Sequence, residues 1–519
     1  MDGQVRRLSG SVRQQQETWL LDCLQRNRTT EYGRRYGFAK IRTAEAYRDQ
    51  VPLAGYDDLA PWIERMAAGK ADVLFAGVPV AFECTGGSTG GSKLIPYSAA
   101  SLVDFQAALL PWLTELIAAY DLGRGSAYWA ISPALRPPQQ TSGGISIGLP
   151  DAAYLGADAV AAFMGTLAVP AWVGTMTNLH DWQLATLYWL ILRQDVELIS
   201  VWSPTYLLSL LTALPQRAAE LEVIFRQGAT LADHRLPAGH RLPADPSACY
   251  RLQEYLEHQD SKSKVLWPSL KVVSCWADAS SRPFFDQLRR LIPQANFQPK
   301  GLLATEGVVT VPDRQGRPVL TAGSGFYEFL DQQAEIRFAH ELLEGERYEV
   351  VLTTSGGLYR YQTGDRVVCQ GWTDALPILS FIGRCGLVSD LVGEKLSDDF
   401  VGQCLHNIPG FRMLVPSVHS IPKYVLILDD CSAIPAEALT LSVEAALSKN
   451  PQYAYARRTG QLDCLEVRCL SDPSGRFITH KLACGARIGD IKMPSLCPDP
   501  HILAAFMETV METFMEAAS

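Results

Sequence analysis

Strand-like runs rich in β-branched residues alternate with amphipathic stretches through the first three-quarters of this 519-residue chain, and that alternation limits the fold more than any other feature. Residues 196–202, 271–276 and 348–354 read as strands, whereas 284–292 has the apolar spacing of a helix. Strands and helices interleaved in this way predict an α/β architecture. The pattern changes after Gly383. Residues 424–428 are strand-like, 436–449 helical and 465–470 strand-like again, as in a small α+β unit with a β-α-β core. A chain this long exceeds one compact core, since a domain takes roughly 100–200 residues. The expected organisation is a large N-terminal α/β domain, 1–385, and a small C-terminal α+β domain, 386–519, joined at 384–387.

Apolar residues make up 47% and charged residues 19%, with 40 Gly and 31 Pro scattered, so a folded globular protein is expected and disorder is set aside. A net charge of -9 without any Lys/Arg run argues against nucleic acid or an anionic membrane as partner, because both require a basic face. The apolar stretch 102–120 is interrupted by Asp104, Gln106, Pro111 and Glu115. It is expected to form a buried helix pair or a pocket wall and not to cross a bilayer. Arg6, Arg7 and Arg13 precede an apolar piece, 19–24, that is too short for a secretory segment and contains Asp22, which gives a cytoplasmic expectation. The 12 cysteines form no CxxC pair and share no zinc-ligand spacing with the histidines, so reduced, buried thiols are expected.

Three motifs carry chemistry. Thr85-Gly86-Gly87-Ser88-Thr89-Gly90-Gly91-Ser92-Lys93 follows a strand-like run, 78–82. Its glycines permit close backbone approach, its hydroxyls donate hydrogen bonds and Lys93 offsets charge, which together suit a polyphosphate. Composition alone leaves a flexible turn as the alternative. It is not a Walker loop, because Leu94 follows Lys93. The second motif, Tyr359-Arg360-Tyr361-Gln362-Thr363-Gly364-Asp365, holds a carboxylate that could accept hydrogen bonds from a vicinal diol such as ribose, or else is a hairpin turn. The third is Glu306, an acid in apolar surroundings (Leu302-Leu303-Ala304-Thr305-Glu306-Gly307) that needs a partner, for which a divalent cation is a candidate. Trp202, Trp276, Asp278 and the stretch 143–148 are candidates to line a substrate site, with packing in the core as the alternative for the tryptophans.

Taken in order, these motifs resemble the acyl-adenylate-forming superfamily. Residues 85–93 fit its phosphate loop with Ser92 in place of Pro, Tyr361 to Asp365 resembles its ribose motif with Gln362 in place of Arg, and Gly383-Arg384 with Gly393 resembles its hinge. Within the superfamily the chain resembles the Gretchen Hagen 3 family of acyl-acid amido synthetases, especially its bacterial members. The likeness runs almost end to end, through Thr30-Glu31-Tyr32-Gly33-Arg34-Arg35-Tyr36-Gly37-Phe38, Val51-Pro52-Leu53, Val201-Trp202-Ser203-Pro204, Leu358-Tyr359-Arg360-Tyr361, Gly393-Glu394-Lys395-Leu396 and Tyr455-Ala456-Arg457-Arg458.

The resemblance implies ATP as co-substrate and Mg²⁺ as cofactor. Thr85, Gly86, Gly87, Ser88, Thr89, Gly90 and Lys93 would hold the phosphates, with Thr305, Tyr361, Asp365 and Arg384 completing the nucleotide site. It gives Glu306 the metal and Asp365 the ribose hydroxyls, and makes Lys492, in Gly489-Asp490-Ile491-Lys492-Met493-Pro494, the lysine that a mobile C-terminal domain brings to adenylation. One departure stands out: the superfamily commonly has an aromatic residue to stack on adenine where this chain has Leu302, so an aliphatic sandwich is expected instead. The implied reaction joins a small carboxylic acid to an amine, such as an amino acid, through an acyl-adenylate. The alternative is a thioester ligase using coenzyme A or a carrier protein, which shares the first half-reaction. An inactive protein that kept the fold is disfavoured by the intact motif residues.

Overall fold

The computed structural model describes residues 11–86, 92–129, 139–149, 154, 166–176, 178–229, 236, 239–257, 262–373, 375–384, 387–389, 391–392, 394–418, 422–429, 435–458, 461–484, 486, 488–499 and 501–507. Contacts divide the chain into two units. One comprises 1–202, 210–276 and 291–382, and the other 203–209, 277–290 and 383–519.

In the first unit, four strands form a parallel sheet, in keeping with the expected α/β architecture. Its order is Ser126–Trp129, Val196–Ser200, Val272–Cys275, Asn296–Pro299. Val196–Ser200 and Val272–Cys275 are buried throughout, as strands covered on both faces must be. A second sheet of seven strands runs in the order Thr310–Pro312, Pro318–Leu320, Leu376–Arg384, Tyr361–Thr373, Arg347–Thr353, Phe326–Leu330, Ile336–Phe338. A third sheet carries the hairpin Ala81–Gly86 with Ser92–Tyr97 beside the short strands Ser146–Ile147 and Gln139–Gln140. The stretch 143–148 therefore extends the sheet next to the hairpin.

The apolar stretch at 102–120 is a single helix, Ala99–Ala119, not a pair, and Pro111 lies inside it. Ser98 caps its N-terminus, accepting from the Ser101 N–H at 2.9 Å. Burial of Ala108, Leu109, Trp112, Leu113 and Leu116 in a cluster with Leu198, Val272, Leu303 and Val308 carries the helix through the proline despite the lost hydrogen bond. By length and a mean hydropathy of 1.3 it is long and apolar enough to cross a membrane, yet this face is in the protein core. The expected strand at 78–82 begins at Ala81 instead. Pro79 has no N–H for a ladder, and Val78 and Val80 are exposed.

The second unit contains the expected β-α-β core. Lys423–Leu428 pairs in parallel with Glu466–Cys469, with the helices Ala436–Leu447 and Pro451–Arg458 in the crossover. Arg412–Ser417 adds an antiparallel strand.

Several residues that carry the family likeness prove to be packing and turn devices. Thr30 Oγ1 caps a short helix by accepting from the Gly33 N–H at 2.9 Å, and a Cβ at Gly33 would overlap the Asn27 carbonyl. Tyr32 stacks on Tyr359 at 5.0 Å, and the Tyr359 hydroxyl donates to the Leu74 carbonyl. Glu394 is fully buried and accepts from the N–H groups of Leu391 and Val392 at 2.7 and 2.8 Å, as well as from the Tyr424 hydroxyl. Among the described cysteines, Cys23, Cys249, Cys275, Cys369 and Cys497 are buried free thiols as expected. The expectation fails elsewhere: Cys464 and Cys484 are exposed, and Cys469 is disulfide-bonded.

Candidate active site

The glycine-rich motif joins two antiparallel strands. Thr85 pairs with Lys93 and Gly86 with Ser92 at the end of the hairpin. Gly87, Ser88, Thr89 and Gly90 lie outside the described residues. The Lys93 ammonium sits 5.3 Å from the Tyr56 ring centre, and the Tyr56 hydroxyl accepts from the Leu94 N–H, so an aromatic residue holds the outgoing strand.

Glu306 occupies a two-residue turn. Leu303–Ala304 and Gly307–Val308 pair across it, leaving Thr305 and Glu306 at the tip. The Tyr97 hydroxyl donates to the Thr305 carbonyl and ties the turn to the strand leaving the glycine-rich loop. Gly301 permits the approach to this segment, since a Cβ there would overlap the Thr310 carbonyl. Glu306 is only 7% exposed and lines a small cavity with Tyr97, Ser101, Asp104, Ser324 and Thr354. A volume of about 20 Å³ has room for one ordered water or small ion, not for a nucleotide. Asp104 accepts from the Trp19 indole at 3.2 Å; burial pushes its carboxyl up, with Ser355, Trp19 and the Arg26 charge pulling against that rise. Thr354 Oγ1 is buried and has no hydrogen-bond partner among the described residues.

The motif at 359–365 is not a hairpin turn. Tyr361 to Asp365 begins the long strand Tyr361–Thr373, and its register against the neighbouring strand shifts between Glu349, opposite Arg366, and Val351, opposite Gln362. The residues between form a bulge with Gly364 at φ +75. Thr363 Oγ1 donates to the Val350 carbonyl and accepts from the Asp365 N–H, so the hydroxyl pins the bulge at both ends. Asp365 is 3% exposed. Tyr361 is buried in the core and bridges to Ala54.

Leu302, where an aliphatic contact to adenine is expected, is 7% exposed. It is buried in a cluster with Val309, Leu320 and Tyr327. Trp202 and Trp276 lie 6.1 Å apart, joined by the Trp276 N–H to the Trp202 carbonyl, whereas Asp278 belongs to the second unit and opens the short turn Ala279–Ser281. Arg384 ends the strand Leu376–Arg384. Lys492 is in the second unit, exposed between the buried Ile491 and Met493.

Sequence reasoning missed Lys300. It is 4% exposed, donates to Ser200 Oγ at 2.7 Å and lies 5.0 to 5.3 Å from the rings of Trp112, Trp129 and Trp202. Its place just after the strand Asn296–Pro299, six residues before Glu306, is the only sequence signal that could have marked it.

The GH3 family N-terminal domain model matches residues 3–297, the central domain model 318–384 and the C-terminal domain model 400–501. Jasmonoyl–L-amino acid synthetase JAR6 of Nicotiana attenuata is 21% identical, across 97% of this chain and 94% of its own length. Indole-3-acetic acid-amido synthetase GH3.4 of Arabidopsis thaliana is 22% identical, across 94% and 90%. The solved structure of the AtGH3.15 acyl acid amido synthetase in complex with 2,4-DB superposes with a TM-score of 0.85 at 19% identity, covering 97% of this chain and 94% of the other. A 2-hydroxyisobutyryl-CoA ligase in its postadenylation state shares the fold more distantly, with a TM-score of 0.54 at 12% identity, covering 96% and 91%. With three models of one family matched in chain order across most of its length, the chain belongs to the GH3 family.

Proposed function

We propose that this chain is an ATP-dependent acyl-acid amido synthetase that activates a small carboxylic acid as its adenylate and passes the acyl group to an amine, such as an amino acid. The observation that carries this reading is Glu306, a buried acid at a turn facing a small cavity beside the strand that leaves the glycine-rich loop. In the first half-reaction a substrate carboxylate oxygen bonds to the α-phosphorus of ATP and the bond from that phosphorus to the pyrophosphate oxygen breaks. Residues 85–90 and Lys93 hold the phosphates, Asp365 accepts from the ribose hydroxyls, Thr305, Tyr361 and Arg384 complete the nucleotide site, and Lys492 offsets the growing charge. In the second half-reaction the amine nitrogen bonds to the acyl carbon, AMP leaves and the nitrogen gives up a proton. The working division is 1–385 for nucleotide and acid and 386–519 for the lysine.

Mg²⁺ fits the oxygen donors that Glu306, Asp104, Ser101, Ser324 and Thr354 bring to this cavity. Among the described residues no three His, Cys, Asp or Glu side chains cluster, so Glu306 would hold the ion together with phosphate oxygens and water. When bound, the ion supplies charge offset to the phosphates. A cytoplasmic enzyme without nucleic-acid or membrane partners accords with the net charge of -9.

The test is pyrophosphate release over a panel of carboxylic acids with ATP and Mg²⁺, followed by mass spectrometry of products formed with an amine panel or with coenzyme A. Amide from an accepted acid is expected. Thioester forming readily while no amine yields amide overturns the reading.

A further inference from the structure

Two adjacent acids in the second unit connect the joint of the chain to the segment that bears Lys492. The helix Asp398–Cys404 begins with both, after Ser397 as its N-cap. The Asp398 backbone N–H donates to the Leu387 carbonyl at 2.9 Å, which fixes the start of the helix to the chain just past the joint. Its carboxylate reaches the other way, where Oδ1 accepts from the Leu496 N–H at 2.7 Å. Burial pushes the Asp398 carboxyl up to about 6; the Leu496 N–H draws it back, Asp399 adds to the rise and the Ser495 N–H draws it back further. Asp399 faces the joint directly. Gly383 has φ +145, and a Cβ there would overlap Asp399 Oδ1.

The segment so held is otherwise fixed. The Leu414 N–H donates to the Ser495 carbonyl at 2.7 Å and the Cys497 N–H to the Leu414 carbonyl at 3.0 Å, docking 495–497 along an edge strand. On the helix, a Cβ at Gly402 would come within 3.3 Å of Ser495 Oγ, so helix and segment meet without a gap. Ile491 and Met493 are buried on either side of exposed Lys492.

We propose that Asp398 and Asp399 form a clasp between the joint at 383–387 and the segment 491–497, which makes Asp398 a positioning residue for Lys492 in adenylation. The proposal rests on the reading of Lys492 given above. Lys492 projects from a short segment, and its reach is set by the backbone four residues on; without the clasp the ammonium would lose its placement while the rest of the fold remained. Both contacts of Asp398 are local to the unit, so its loss acts through Lys492 and not on the acid or the nucleotide.

The test measures the two half-reactions separately in the full chain: ATP–pyrophosphate exchange with an accepted acid, and amide formation from a supplied acyl-adenylate. Asp398→Ala is expected to lower the rate constant of exchange by about ten- to a hundred-fold, the scale of a misplacement near 1 Å, with the KM for ATP unchanged and amide formation spared. Asp398→Asn, which keeps an acceptor oxygen for the Leu496 N–H, is expected to restore most of the exchange and guards against a variant that fails to fold. In a Lys492→Ala background the Asp398→Ala change is expected to cost nothing further, because a group that acts only through another shows no separate effect. Additive losses in that cycle, or equal losses in both half-reactions, overturn the clasp. No pyrophosphate exchange by the wild-type protein with any acid overturns both the clasp and the function beneath it.

Discussion

Arg360 shows how much a single position can decide. It adopts φ +47, unusual for a residue other than glycine, and its guanidinium is buried against Glu328 at 2.9 Å while donating to the carbonyls of Arg48 and Val51 at 2.7 Å. Burial pushes the Glu328 carboxyl up, and the Arg360 charge and hydrogen bond act against that rise. Removing one partner strands the other charge, so Glu328→Ala is expected to destabilise the fold by about 3–5 kcal/mol in denaturant unfolding of the full chain. A loss below about 1 kcal/mol, the scale of a surface pair, would show that water reaches the site. Asp365 makes the contrasting case, because its proposed task is binding. Asp365→Ala is expected to weaken ATP and AMP together by about 1.5–3 kcal/mol in calorimetry. Unchanged nucleotide affinity with lowered thermal stability would leave Asp365 as a bulge residue only. Glu306 and Asp365 stood out in the sequence because an acid among apolar neighbours, or beside a glycine, demands a reason, and the structure buries both. Arg360 was visible as a motif letter, but its role depends on Glu328, 32 positions away and silent by itself.

At the scale of elements, burial made the strands readable. The runs at 196–202, 271–276 and 348–354 fold as Val196–Ser200, Val272–Cys275 and Arg347–Thr353, because an apolar β-branched run has few other uses. What sequence could not show was the pairing. Gly364-Asp365 has the composition of a hairpin turn, yet it lies inside the strand Tyr361–Thr373, where three residues oppose Val350. The distinction matters for the site, since a bulge re-aims one side chain without ending the strand. Gly364 at φ +75 is the residue that makes it possible. Gly364→Ala is expected to cost about 1–2 kcal/mol of stability from the left-handed backbone. It should weaken nucleotide binding in the same direction as Asp365→Ala. Calorimetry and thermal melts on one preparation check both; a stability loss with native affinity would detach the bulge from the nucleotide site. Of the expected helix pair or pocket wall, Ala99–Ala119 is one helix, since the packing of Trp112 and its neighbours against Leu198 and Val272 outweighs Pro111, and its Ser101 and Asp104 line the cavity at Glu306.

At the scale of the molecule, the change of pattern after Gly383 marked the second unit, but a reading along the chain could not supply its remaining parts. Residues 203–209 and 277–290 group with 383–519, although they stand far ahead of it in the sequence. Within that grouping Phe284 is buried and its ring lies 6.5 Å from Phe411, whose other neighbour is Phe506 at 6.0 Å. Burying an aromatic side chain of this size is worth about 1.5–3 kcal/mol, and the same area left in water promotes association. Cutting the chain after Ile382 therefore leaves Phe284 without Phe411. The expected outcome is that residues 1–382, expressed alone, associate or precipitate at concentrations where the full chain does not. Phe284→Ser in that fragment should shift size-exclusion elution toward the monomer, although the same substitution in the full chain should lower its melting temperature by removing the Phe411 contact. A fragment that elutes as a stable monomer with Phe284 unchanged would mean that 277–290 is covered by its own flanking chain, and that the second unit begins at Gly383 in energy as well as in sequence.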